Sequence, residues 1–337
     1  MKRSFSTSLR SLVLLALTPI PLVACSPTVE TSGGTGPCAW HFISGDPNNG
    51  GQVLFPCGLP AAPTDQGQTS YELCSGYCGG SMSFNSCEVE TDAGYVGPAF
   101  ADVDAGTAPT VVDCYQDHTG RRPAGLVPQA DAGARSVGEV LARAAYLEAA
   151  AVDAFRDLAG QLEAHGAPAA LVKRLRRAAR EEVRHARDVG ALARARGGVP
   201  APVAVEETGP RSVLALALEN AREGCVRETW GAACAVVQSE RAEDPAVRAL
   251  MQTIARDELG HAALSWDMGA WLATRLSEEE RALVKEERAR AVAELEDELA
   301  GALPEPWARA LGVPSRAEAR VIFASMRGAV WGSGGAA

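Results

Sequence analysis

Apolar residues recur every three or four positions from Ser136 onward, the spacing that lines one face of an α-helix. Ser136 with Glu139 fits a capping box, and the pattern then runs to His165 before Gly166 stops it. Pro168 stands where a first helical turn tolerates proline, and a second helix runs to about Arg196. A third starts near Ser212 and fades near Ser239. Asp244 and Pro245 cap and open a fourth, to about Leu276. Ser277 with Glu280 opens a fifth, to about Gly301, and Ser315 with Glu318 a shorter sixth.

The connections order these helices. Helices one and two, and helices three and four, are joined by a few residues, so each pair is an antiparallel hairpin. Residues 197–211 carry prolines and no helical pattern. Extended, they reach ~45–50 Å, the length of a ~30-residue helix. Two hairpins and one long crossover make a four-helix bundle over 136–276, with extra C-terminal helices over 277–331.

Ahead of Ser136 the periodicity is absent. A basic start (Lys2, Arg3, Arg10) and the apolar run "SLVLLALTPIPLVA" end in "LVAC", which resembles the lipobox of bacterial lipoproteins. That resemblance implies a signal peptide over 1–24, lipidation of Cys25, and a membrane anchor. Ser26 in place of an aspartate points to the outer membrane. Residues 25–37 read as a tether, and 38–123 as a small irregular cysteine-rich domain with a linker over 124–134. Cys38, Cys57, Cys74, Cys78, Cys87 and Cys114 are an even number in an exported segment and read as three disulfides of undetermined pairing. Zinc is the rival, but no paired C-x-x-C spacing supports it. Cys225 and Cys234, nine residues apart, point to opposite sides of a helix and read as small buried hydrophobes. The formal charge of −10 excludes nucleic acid as the main partner.

The chemistry lies in a repeat. "AREEVRHA" (179–186) returns as "ARDELGHA" (255–262), each with a Glu three residues before a His, and the chain has only 5 histidines. "EAAAVDAF" (148–155) likewise aligns with "EGCVRETW" (223–230). On the first helix Glu148 is the one charge on the stripe Leu141, Ala145, Val152, Phe155 and Leu162. Counted from Gly166, Glu148, Glu182 and His185 stand at one level, ~24–29 Å from the turn. A buried carboxylate needs a partner, and Glu-x-x-His presents two ligands on one helix face. His41, His118 and His165 lack such spacing.

Glu…Glu-x-x-His, twice over on four helices, resembles the ferritin-like di-metal carboxylate superfamily of rubrerythrins, bacterioferritins and di-iron oxygenases. The resemblance implies a mainly α, ferritin-like four-helix bundle binding two iron (or manganese) ions through Glu148, Glu182, His185, Glu223, Glu258 and His261. Repeat alignment favours Glu223, whereas the cleaner apolar stripe favours Glu228, the alternate. Glu181 and Asp257 resemble the acids that orient ligating histidines. The expected activity is oxidation of iron or a small substrate with dioxygen or peroxide, with an envelope protein or redox partner. The alternative is a non-catalytic surface lipoprotein whose cysteine-rich domain binds a partner and whose bundle is a scaffold. Iron storage is a third reading, which a lipid anchor and extra domain disfavour.

Overall fold

The computed structural model describes residues 2–16, 32–33, 40–46, 50–55, 86–91, 94–95, 110–115, 121–127, 134, 136–299 and 305–332. Across these the chain is mainly helical. The first element, α1 (Lys2–Ala16), is part of the apolar leader stretch, and its Leu9 and Val13 are buried. No described helix is long and apolar enough to cross a membrane. Cys25, Cys38, Cys57, Cys74 and Cys78 lie outside the described residues.

The segment read as irregular contains strands: β1 (Ser32–Gly33), β2 (Trp40–Asp46), β3 (Gly50–Phe55), β4 (Ser86–Thr91), β5 (Gly94–Tyr95) and β6 (Thr110–Tyr115). They form one sheet in the order β1-β2-β3-β6-β4-β5, every neighbouring pair antiparallel. β1 falls inside the expected tether, and the other five inside the cysteine-rich segment. None exceeds 7 residues, too short for a persistent alternation to stand out from Gly-, Pro- and Ser-rich surroundings. The β-branched run Thr110–Val112 is the local signal that was there to read. In the β4–β6 register Cys87 stands opposite Cys114.

The helices open and close where their capping chemistry requires. Ser136 Oγ accepts the Glu139 N–H at 3.2 Å, and α2 (Val137–Ala164) follows. Gly166 takes φ +75°, a left-handed conformation that turns the chain into α3 (Ala169–Ala195). Ser212 caps α4 (Val213–Glu219), which continues through a π-helical stretch, π1 (Asn220–Glu228), into α5 (Thr229–Arg241). Asp244 Oδ1 accepts the N–H groups of Ala246 and Val247 to start α6 (Pro245–Ala273). Ser277 and Glu280 bond reciprocally before α7 (Glu278–Glu298), and Ser315 and Glu318 before α9 (Arg316–Met326). Three helical stretches beyond Ser136 were not expected: π1, α8 (Glu305–Leu311), and a second π stretch at Arg327–Trp331.

The long connection runs along α2. A Cβ on Gly198 would fall 1.8 Å from the Gly138 carbonyl oxygen at the start of α2, and Gln161 near its end donates to Gly209 O at 2.8 Å. The expected linker does not begin at residue 124. Leu126 bridges to Val205 of the crossover, and Tyr146 of α2 donates to Val127 O at 3.1 Å.

Packing divides α2, α3 and α6 into layers. At one end Val140, Leu141, Val189, Ala193, Val247 and Ile254 cluster; at the other, Phe155, Leu158, Leu162, Leu175, Met268 and Leu272. Each fully buried large side chain contributes roughly 1.5–3 kcal/mol of transfer free energy. Between these layers every one of the three helices carries a carboxylate.

Candidate metal centre

Glu148 lies between the apolar layers on α2, Glu182 and His185 on α3, and Glu258 and His261 on α6, with Glu228 entering at the C-terminal end of π1. Two groups of ligand atoms form: Glu148, Glu182, His185 and Glu258, and Glu182, Glu228, Glu258 and His261. Within each, the atoms lie within 4.8 Å of one another. Both contain Glu182 and Glu258. All six side chains are buried except Glu148, which keeps 21% of its side chain exposed.

The two rings face each other with centroids 6.0 Å apart. His185 Nδ1 lies 3.4 Å from Glu148, 3.4 Å from Glu182 and 3.3 Å from Glu258. His261 Nδ1 lies 2.9 Å from Glu182, 3.4 Å from Glu258 and 3.6 Å from Glu228. The outer nitrogens are held crosswise. Asp257 faces His185 Nε2 at 3.3 Å, and Glu181 faces His261 Nε2 at 3.1 Å. Each acid therefore orients the histidine of the opposite hairpin.

Charge is strained to match. Burial raises the pKa of Glu148, and the Glu182 carboxylate raises it further. Burial and then Glu258 push Glu228 up to about 8, against Arg121 and His261. Burial also opposes ionisation of Glu182, but the His261 and His185 rings outweigh it and hold its carboxyl low. For His185 burial disfavours the charged ring, and Asp257, Glu148, Glu182 and Glu258 overcome it and raise its pKa. Burial works the same way on His261, where Glu258, Glu182 and Glu181 prevail. The cluster attracts positive charge into its centre.

The inward-facing His185 Nδ1, His261 Nδ1, Glu182 Oε2 and Glu258 Oε1 are buried without hydrogen-bond partners, as is Glu228 Oε2, which faces Arg121. Buried polar atoms are nearly always satisfied, and each orphan costs about 1–3 kcal/mol. Converging orphans of the oxygen and imidazole type fit a metal ion.

Of the two candidates on the third helix, Glu223 stands outside both groups: it accepts the Arg122 N–H at 3.2 Å and lies 3.7 Å from Arg227. Glu228 stands in its place. The other five expected ligands come together, and Glu181 and Asp257 touch the rings. Cys225 and Cys234 are buried and are not joined to each other, as the nine-residue spacing implied. Sequence reasoning missed Arg121, whose side chain is fully buried beside Glu228. It sits in a stretch taken as the edge of a loop-rich domain, and nothing local marks it.

Comparison against protein-family models, curated proteins and solved structures finds no match for this chain.

Proposed function

We propose that the protein is a ferritin-like di-metal carboxylate protein that holds two iron, or manganese, ions and reacts with dioxygen or peroxide. The overlap of the two ligand groups carries the reading. Ions in the two positions would share Glu182 and Glu258, with Glu148 and His185 closing one end and Glu228 and His261 the other. Ligands come from four helical rods, as in the superfamily that the repeat resembles. Six oxygen and nitrogen donors without sulfur suit iron or manganese. Bound there, such ions supply Lewis acidity and open coordination positions for an oxygen ligand.

The chain's own residues set the conditions. With metal bound, Asp257 and Glu181 would accept the proton on each Nε2 and leave each Nδ1 lone pair to face inward. Four carboxylates balance two divalent ions, so loading replaces the protons drawn into the centre and leaves it nearly neutral. The apolar layers above and below exclude water and strengthen every interaction between them. Glu148, the one partly exposed ligand, marks the side open to small molecules. The lipobox-like "LVAC" adds a lipid-anchored, exported setting to this proposal.

The test is iron and manganese stoichiometry with thermal melts on wild type, His185→Ala and Glu258→Ala. Wild type is expected to take up two ions per chain and melt higher when loaded, with ~2.7 kcal/mol of stabilisation per ion at a free metal concentration 100-fold above Kd. Glu258→Ala removes a ligand from both positions and is expected to lose both ions; His185→Ala acts on one. No metal after reconstitution, with no melting shift, would leave the scaffold reading standing.

A further inference from the structure

Arg121 belongs to neither ligand group, yet the helices are shaped around it. Its side chain is 0% exposed. Nη2 donates to Asn220 Oδ1 at 2.9 Å and to Ser265 Oγ at 3.0 Å. The guanidinium carbon lies 5.5 Å from the centre of the Phe155 ring, whose centroid is 5.1 Å from that of His261. Room exists because residue 224 is glycine: a Cβ there would fall 1.9 Å from Nη2. Gly224 and Asn220 both lie on π1, where the helix swells. Glu223 fixes the approach by accepting the N–H of the next residue, Arg122.

A structural counter-ion would spend all its donors on partners. Arg121 spends Nη2 on Asn220 and Ser265 but neither Nε nor Nη1. Nε lies 3.6 Å from Glu228 Oε2, too far for a hydrogen bond, and both Nε and Nη1 are buried without an acceptor.

We propose that Arg121 is the receptor for a small monoanion, such as hydroperoxide, at the Glu228–His261 end of the centre, its free Nε–H and Nη1–H donating to that anion. This rests on the di-metal reading and adds to it a residue that selects the ligand's charge. Arg121 acts on the ligand rather than on the ions.

The test uses the full iron-loaded chain with azide as the probe. Iron per chain is measured first. The azide Kd then comes from the anion-to-iron absorption band in wild type and Arg121→Gln. Arg121→Gln is expected to keep two irons and to bind azide about tenfold or more weakly, the effect of losing hydrogen bonds from a charged donor. Two irons and wild-type azide affinity in Arg121→Gln would overturn the inference and leave the di-metal reading intact. A wild type without iron would overturn both, and the iron measurement tells the cases apart. If Arg121→Gln fails to fold or load, the structure of iron-loaded wild type with azide decides. Azide within 3.2 Å of Nε or Nη1 supports the role, a distance set by hydrogen-bond geometry. Azide bound elsewhere overturns it.

Discussion

Glu228 shows what a buried carboxylate demands of its surroundings. Burial pushes it up to about 8, and its Oε2 has no hydrogen-bond partner. Glu223, five residues earlier, has the Arg122 N–H and the Arg227 guanidinium beside it. Replacing Glu228 by Gln is therefore expected to cut bound iron to one ion per chain or fewer, while Glu223→Gln keeps two; metal analysis of the two proteins decides. The level of Glu228 was legible in the sequence by a different count. Glu228 and Glu258 lie equally far on either side of Glu243 in the turn, whereas Glu223 lies a further five residues away, ~7.5 Å along a helix. Aligning the repeat letter by letter hid that, because π1 alters the residue count of the third rod. Arg121 had no comparable signal. A lone arginine becomes a core residue only through the glycine, asparagine and serine that distant segments place around it.

Among the elements, the legible features were those with local chemistry. Ser136, Gly166, Ser212, Asp244, Ser277 and Ser315 each bound a helix in the structure as their side chains, or the glycine's conformational freedom, require. Asp244 also accepts from Arg196 Nε at 2.9 Å, and although burial raises its pKa, that contact and the two N–H groups prevail and lower it. Asp244→Ala is expected to cost about 1 kcal/mol at neutral pH. An acid with a lowered folded pKa contributes above its unfolded value of 3.8 and loses that contribution as pH falls. Urea denaturation at pH 7 and pH 3 should show the gap between variant and wild type narrowing at the lower pH. The strands were hidden because sheet order depends on partners far along the chain. Their register now narrows the cysteine question. Directly opposed Cα atoms in an antiparallel pair are ~4.5–5.5 Å apart, within disulfide range. Peptide mapping of oxidised protein is expected to recover Cys87 joined to Cys114; either of them joined elsewhere contradicts this.

For the whole molecule, two hairpins sharing one polar layer between two apolar ones is an arrangement in which a bound metal would support the fold. Loop lengths carried that much, since a 15-residue crossover beside a helix of matching length allows few topologies. The leader is a separate question. α1 buries Leu9 and Val13 among residues of α5, α6 and α9, including Trp230, Leu259 and Phe323. The lipobox-like stretch predicts that residues 1–24 are absent from the exported protein and that Cys25 carries lipid. Mass spectrometry of membrane-extracted protein is expected to find both, and an intact N-terminus contradicts the expectation.

In the proposed centre two ions would sit side by side, joined by Glu182 and Glu258. Anomalous diffraction at the iron edge from crystals of reconstituted protein tests it most directly. Two peaks ~3.5–4 Å apart, the spacing of two-metal sites, are expected between His185 Nδ1 and His261 Nδ1, with an oxygen of Glu182 and of Glu258 reaching both. A single peak, or iron bound away from these six side chains, would contradict it.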